Sequence, residues 1–139
     1  MSTTVLEMPP RLDEIDGMVL SIKDTARTCL SEEKIASLEV ALSEALANAV
    51  KHGLSPNLDV PIKVTVVQTD KELKLQIVDA GEPGPVNLFE DVKDLDDIDP
   101  MAESGRGLSL IRFCVDRLHF EPQGNRNFLE LVFTSDLNA

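Results

Sequence analysis

Glu44 and Asn48, in the run Glu44-Ala-Leu-Ala-Asn48-Ala-Val-Lys-His52, are a carboxylate and a carboxamide four residues apart. On a helix that spacing puts both on one face. There a carboxylate can take a proton and a carboxamide oxygen can ligate a hard cation. A second piece, Asp79-Ala-Gly81, ends an apolar run with an acid able to accept a hydrogen bond from an exocyclic amine. Gly81 and Gly84 would let the backbone come close to a flat ring. The third piece, Ser104-Gly105-Arg106-Gly107-Leu108, is a glycine-rich loop opening onto a helical pattern. Backbone N–H groups at a helix N-terminus attract anions, and Arg106 can add a charge-assisted bond to a phosphate. Each piece also has a plainer reading, as a solvated helix face, a strand-end turn and a flexible loop. Together and in this order they are the parts of a nucleotide site. The glycine loop is not a Walker A loop, because the Lys-Ser/Thr pair is missing.

Elements must exist to hold these groups. Residues 2–8 form a candidate edge strand closed by Pro9-Pro10, and residues 11–29 place Leu12, Ile15, Val19, Ile22 and Ala26 at helical spacing. Met18 and Leu20 on that helix either complete the core or are left for a second surface. Ser31 reads as an N-cap, with Glu32 and Glu33 in the first turn where the helix dipole favours them. The helix it opens is expected to run to Lys51, with Gly53 and Pro56 ending it. At about 100° per residue, Ile35, Leu38, Leu42, Leu46 and Ala49 cluster opposite Glu44, while Asn48, Lys51 and Glu33 fall within roughly 40° of it. Residues 61–68 and 73–78 alternate as two strands joined at Thr69-Asp70-Lys71. From Ala80 to Ser104 no period survives, which predicts a lid or binding loop. Residues 107–117 return to helix, and strands at 117–121 and 127–134 meet at Pro122-Gln-Gly124-Asn125. This order does not alternate strand and helix. It predicts one domain over residues 1–139, a two-layer α/β sandwich with helices on one face of a mostly antiparallel sheet.

At 139 residues the chain is long enough to bury its own core. Its net charge of −12 argues against nucleic acid or an anionic membrane as a partner. It does not argue against ATP, whose phosphates need only a local cradle and a cation. Cys29 and Cys114 lie far apart in apolar-patterned segments, and free thiols in a reducing compartment are the expected reading. The first residues lack a signal pattern and no apolar run reaches membrane-spanning length, so the cytoplasm is the expected location.

With these residues in hand, the chain resembles the histidine-kinase-like ATPase superfamily, which shares the Bergerat ATP-binding fold. Within that superfamily it is most similar to the small bacterial anti-sigma-factor serine/threonine kinases. The resemblance spans nearly the whole chain. Its most specific part is Glu44, Asn48, Ala49 and His52, which reproduce the family's Glu-Ala-x-x-Asn-Ala-x-x-His. Sensor histidine kinases usually carry Asn where this chain has Glu44; a Glu suits transfer to a hydroxyl.

The resemblance implies that Asp79, Gly81 and Gly84 lie at adenine, and that Gly105, Arg106, Gly107 and Leu108 close over the phosphates. It implies that His52 belongs to the nucleotide-binding set, that Asn48 ligates Mg²⁺, and that Glu44 is the general base. Phosphoryl transfer would go to a Ser or Thr of an anti-sigma antagonist, with a sigma factor as second partner and a homodimer as the assembly. A nucleotide-dependent binding module with little or no kinase activity is the alternative. The sequence departs from the family where Glu82-Pro83 displaces Gly84 by one place. It departs again in the last strand pair, where a family Thr is replaced by Gly124-Asn-Arg-Asn127, with Asn127 the candidate substitute. The lid, residues 80–104, is unusually acidic (Glu90, Asp91, Asp94, Asp96, Asp97, Asp99, Glu103) and lacks the ligand periodicity of a calcium loop.

Overall fold

The computed structural model describes residues 1–52, 60–80, 106–124 and 126–137. Strand β1 (Ser2–Met8) leads through a short 3-10 turn (Leu12–Glu14) into α1 (Ile15–Ala26) and then α2 (Glu32–His52). A hairpin follows, β2 (Ile62–Gln68) and β3 (Glu72–Asp79), then α3 (Arg106–Cys114), β4 (Arg117–Gln123) and β5 (Arg126–Thr134). The five strands form one sheet in the order β1-β2-β3-β5-β4, and every pairing is antiparallel. This is the expected two-layer sandwich. Residues 81–105 lie outside the described residues: all of the expected lid but Ala80, with Gly81, Gly84 and the acidic residues, and Gly105 beyond it.

Alternation decides which face of the sheet meets the helices. Ile62, Val64 and Val66 of β2, Leu73, Leu75 and Ile77 of β3, and Leu131 and Phe133 of β5 are buried in one core with the helices. The opposite face carries Lys74, Gln76, Arg117 and Glu130. There Glu72 takes ion pairs from Arg117 at 2.8 Å and Lys74 at 3.5 Å. On α2 the predicted stripe of Ile35, Leu38, Leu42, Leu46 and Ala49 is buried. Full burial of one such leucine contributes about 1.5–3 kcal/mol, so this stripe fixes the rotation of α2 and with it the direction of Glu44. Of the two readings open for Met18 and Leu20, Met18 takes the first and belongs to the core, whereas Leu20 is 59% exposed and is left for a second surface. Both cysteines are free, and burial pushes the Cys114 thiol up.

Helix α3 is shorter than its pattern predicts. It stops at Cys114, three residues before the expected end at 117, and β4 begins at Arg117, where the strand pattern puts it. The sheet takes this segment away. The Asp116 N–H donates to the Val132 carbonyl at 3.0 Å, and its carboxylate accepts the Thr134 N–H at 2.7 Å and the Lys34 ammonium at 2.8 Å. Gly124 makes the last hairpin turn with a φ of 63°, a conformation that other residues adopt only at a cost.

The start of α2 is clasped to the ends of β4 and β5. Ser31 caps the helix by accepting the Lys34 N–H at 3.3 Å. Its own N–H and hydroxyl both donate to Asp136. Lys34 also donates to the Thr134 carbonyl at 2.6 Å. These donors hold Asp136 below the ordinary carboxyl value of 3.8. For Asp116 burial pushes the value up, but the Lys34 ammonium and the Thr134 N–H outweigh it and the net direction is down.

Lowered folded values mean that the two carboxylates stabilise the fold above the unfolded value, near pH 4. That contribution disappears as pH falls through the lowered values. Urea midpoints measured from pH 6 down to about pH 3 are expected to fall more steeply in the native chain than in Asp116→Asn. Parallel slopes would show that the clasp does not couple to folding.

Candidate functional site

The buried stripe of α2 leaves Glu44 and Asn48 on the neighbouring side, one turn apart and both half-buried. Helix α3 packs against this side. At its second residue, Gly107, a β-carbon would stand 2.9 Å from Glu44 Oε2, 3.7 Å from Asn48 Nδ2 and 3.8 Å from Asn48 Oδ1. Gly107 has no left-handed φ; its lack of a side chain matters because of space. The carboxylate and the carboxamide therefore converge on one point beside the first turn of α3. Among the described residues no hydrogen bond or ion pair engages the Glu44 carboxylate.

That first turn brings its own chemistry. The first four N–H groups of a helix have no partner within it, and they carry the positive end of the helix dipole. Arg106 is the first residue of α3, with its side chain outside the described residues. Leu108 turns its side chain toward the core. What Leu108 can offer an anion is its backbone N–H. His52 closes α2, its side chain likewise outside the described residues.

Asp79 is the last residue of β3. It lies two residues beyond Ile77 on the helix-facing side, so the apolar inner face ends in a carboxylate. Directly opposite, in register, is Asn127 of β5, whose Nδ2 donates to Asp79 Oδ1 at 3.1 Å. The alternation of Asn127, Leu129, Leu131 and Phe133 held a signal for this: a polar residue stands in an inward position. The pairing partner, however, depends on strand order and register, which no local pattern supplies.

The donor set suits a nucleotide with a magnesium ion. Mg²⁺ keeps several waters and takes one or two protein oxygens plus phosphates, so a single carboxamide oxygen beside a carboxylate is sufficient. The space that a β-carbon at position 107 would fill, walled by Glu44 and Asn48, is where such groups would meet. Among the described residues no cluster of three or more His, Cys, Asp or Glu side chains forms a self-contained metal centre.

Comparison with known proteins shows the family and the fold. Residues 8–133 match the family described as the histidine kinase-like ATPase domain. The serine-protein kinase RsbW of Listeria monocytogenes is 30% identical over 122 residues, covering 80% of this chain and 74% of the relative. The serine/threonine-protein kinase BtrW of Bordetella bronchiseptica is 32% identical over 99 residues, covering 69% of this chain and 68% of the relative. Among solved structures, the RsbU and RsbW domains of a Mycobacterium tuberculosis protein superpose with a TM-score of 0.72 at 14% identity. That match covers 99% of this chain and 34% of that one. The mycobacterial sensor histidine kinase MprB superposes with a TM-score of 0.57 at 18% identity, over 95% of this chain and 98% of that one. At such identities the two structures speak to the fold alone.

Proposed function

Because the chain belongs to the histidine kinase-like ATPase domain family, we propose that it is an ATP-dependent serine/threonine protein kinase and anti-sigma factor, forming one domain over residues 1–139. It phosphorylates an anti-sigma antagonist protein and sequesters a sigma factor. The convergence of Glu44 and Asn48 on the first turn of α3 carries this reading. The names of the Listeria and Bordetella relatives support the serine or threonine acceptor.

In the proposed mechanism Asp79 accepts a hydrogen bond from the exocyclic amine of adenine, and Gly81 and Gly84 let the chain approach the ring. The backbone N–H groups from Gly105 through Leu108, with Arg106, bind the phosphates, and His52 completes the nucleotide-binding set. Asn48 would offer its carboxamide oxygen to Mg²⁺, and the bound ion supplies neutralisation of phosphate charge. Glu44 is the general base: its carboxylate accepts the proton of the attacking hydroxyl and orients that oxygen. Phosphoryl transfer rests on positioning and charge stabilisation more than on covalent chemistry, so these few groups suffice.

The test is direct. Labelled ATP with Mg²⁺ and the product of a neighbouring antagonist gene are expected to give phosphate on a Ser or Thr of that product. Nucleotide binding without transfer to any such product would favour the binding-module alternative.

Location and assembly follow as parts of the same proposal. Among the described residues no helix is long and apolar enough to cross a membrane, and the cytoplasm is the proposed compartment, with no direct nucleic-acid contact. The homodimer is proposed through β1. In that edge strand Glu7 is the lone charge and neither Lys nor Pro is present, whereas the other edge, β4, carries Arg117, His119, Glu121 and Pro122. Charged residues and Pro guard an edge against pairing, so β1 is the edge open to a second copy. Val5 on β1 and Leu20 on α1 are both more than half exposed. Sedimentation at micromolar concentration should give twice the chain mass; a monomer with and without nucleotide would rule the dimer out.

A further inference from the structure

Phe113 on α3 is 74% exposed, more than any other large apolar side chain among the described residues except Met1. Two contacts fix where it stands. At one end of α3, Gly107 approaches Glu44 and Asn48 of α2. Just past the other end, Asp116 accepts the Lys34 ammonium at 2.8 Å, near the start of α2. Helix α3 therefore runs antiparallel to α2, from the level of Glu44 back toward the beginning of that helix. Phe113 lies about 9 Å along it from Gly107, at 1.5 Å per residue. Val40, one turn before Glu44, lies about 6 Å from it in the same direction.

Both side chains look away from the core. At about 100° per residue Phe113 falls opposite Leu108 and Ile111, which pack into it. Val40 falls about 40° from Glu44, on the side opposite the buried stripe of α2, and is 39% exposed. An aromatic ring and a β-branched side chain thus stand at one level on two packed helices, one to two turns from the candidate base.

A single exposed apolar residue is ordinary on a protein surface. Position argues for more here, because transfer to a protein hydroxyl requires the acceptor to cover the ground beside Glu44. Buried aromatic side chains are the usual anchors of such contacts. A second copy of the chain is the poorer occupant. Helix α3 carries Arg106 and Arg112 and no acid, so two copies of it set face to face offer no opposite charge to pair.

We propose that Phe113, with Val40, is the docking point for the acceptor protein: it takes a large apolar side chain that the acceptor carries within about 10 Å of the Ser or Thr presented to Glu44. The proposal rests on the kinase reading above and adds the surface by which that kinase selects its acceptor. A contact made on binding and kept through transfer lowers KM and leaves kcat alone.

The experiment is steady-state transfer from ATP with Mg²⁺ to the product of the neighbouring antagonist gene, beside calorimetric binding of that product. The native chain is compared with Phe113→Ala, Phe113→Leu, Val40→Ala and Leu12→Ala, the last an equally bare apolar residue before α1, 57% exposed. Phe113→Ala should raise the KM for the acceptor about tenfold, the scale of truncating an aromatic anchor, with kcat within about twofold. Val40→Ala should raise it less, Phe113→Leu should stay within about threefold of native, and Leu12→Ala should change nothing.

An unchanged KM in Phe113→Ala, or the same rise in Leu12→Ala, would overturn the docking surface and leave the kinase reading standing. Loss of the ATP-induced rise in melting temperature would overturn it by tying Phe113 to the nucleotide. Loss of a sedimenting dimer would overturn it in favour of a second copy. A product that binds through Phe113 yet is never labelled would support the surface and overturn the kinase reading. A product neither bound nor labelled would overturn both. Melting without ligand checks that each variant folds, and Phe113→Gln serves the same measurements should the alanine fail to fold.

Discussion

Glu44→Gln is expected to bind Mg²⁺ and ATP as the native chain does and to lose phosphoryl transfer by at least about a hundredfold, the low end for removal of a general base. Glutamine has almost the shape of glutamate, so the α2–α3 contact and the space beside Gly107 persist. What it lacks is an oxygen able to take the proton of the attacking hydroxyl. Glu44 suits that role because its carboxylate is half-buried and engaged by no described side chain. A carboxylate committed to a salt bridge would have to break it to accept a proton. Nucleotide binding is read from the rise in melting temperature, which any ligand of the native state produces. Asn48→Ala should show the contrasting pattern, losing the Mg²⁺-dependent part of that rise. Transfer at the native rate by Glu44→Gln would mean that Glu44 is only a polar residue on a helix face.

The second large effect is expected at Gly107, where activity and stability should part. In Gly107→Ala the new methyl would stand 2.9 Å from Glu44 Oε2, inside the 3.4 Å at which ordinary contact begins. The atom it meets is the far end of a flexible side chain, so the carboxylate moves aside and the fold survives. Alanine is moreover the better helix former by up to about 1 kcal/mol, and the melting temperature should hold or rise. Phosphoryl transfer should fall by tens to about a hundredfold, because a misplacement near 1 Å costs that much at a reacting centre. The measurement is single-turnover transfer beside thermal melting. Native-rate transfer in Gly107→Ala would show that the approach of α3 does not position Glu44.

The long elements were legible in the sequence because each carries a strong period and its own boundary signals. The α2 stripe, Ser31 as its N-cap, the β2–β3 turn at Thr69 and the Gly124 turn all stand where the pattern puts them. The end of α3 was not legible. Val115 and Leu118 continue the apolar spacing of a helix, and only the bonds of Asp116 to Val132, Thr134 and Lys34 show why the chain leaves it. Those partners lie 16, 18 and 82 residues away in sequence, beyond the reach of any window used to read a period.

The site divides in the same way. Sequence alone determined that Glu44 and Asn48 share a helix face, that Asp79 ends a strand and that a helix runs on from Gly107, because helical and strand periods are local properties of the backbone. Tertiary structure decided what those groups meet. It set the first turn of α3 against Glu44 and Asn48, which makes Gly107 a matter of space rather than of backbone conformation. It also laid β5 beside β3 so that Asn127 reaches Asp79. Both outcomes depend on how buried surfaces and backbone pairing are shared among elements far apart in the chain, and that choice is made by the core as a whole.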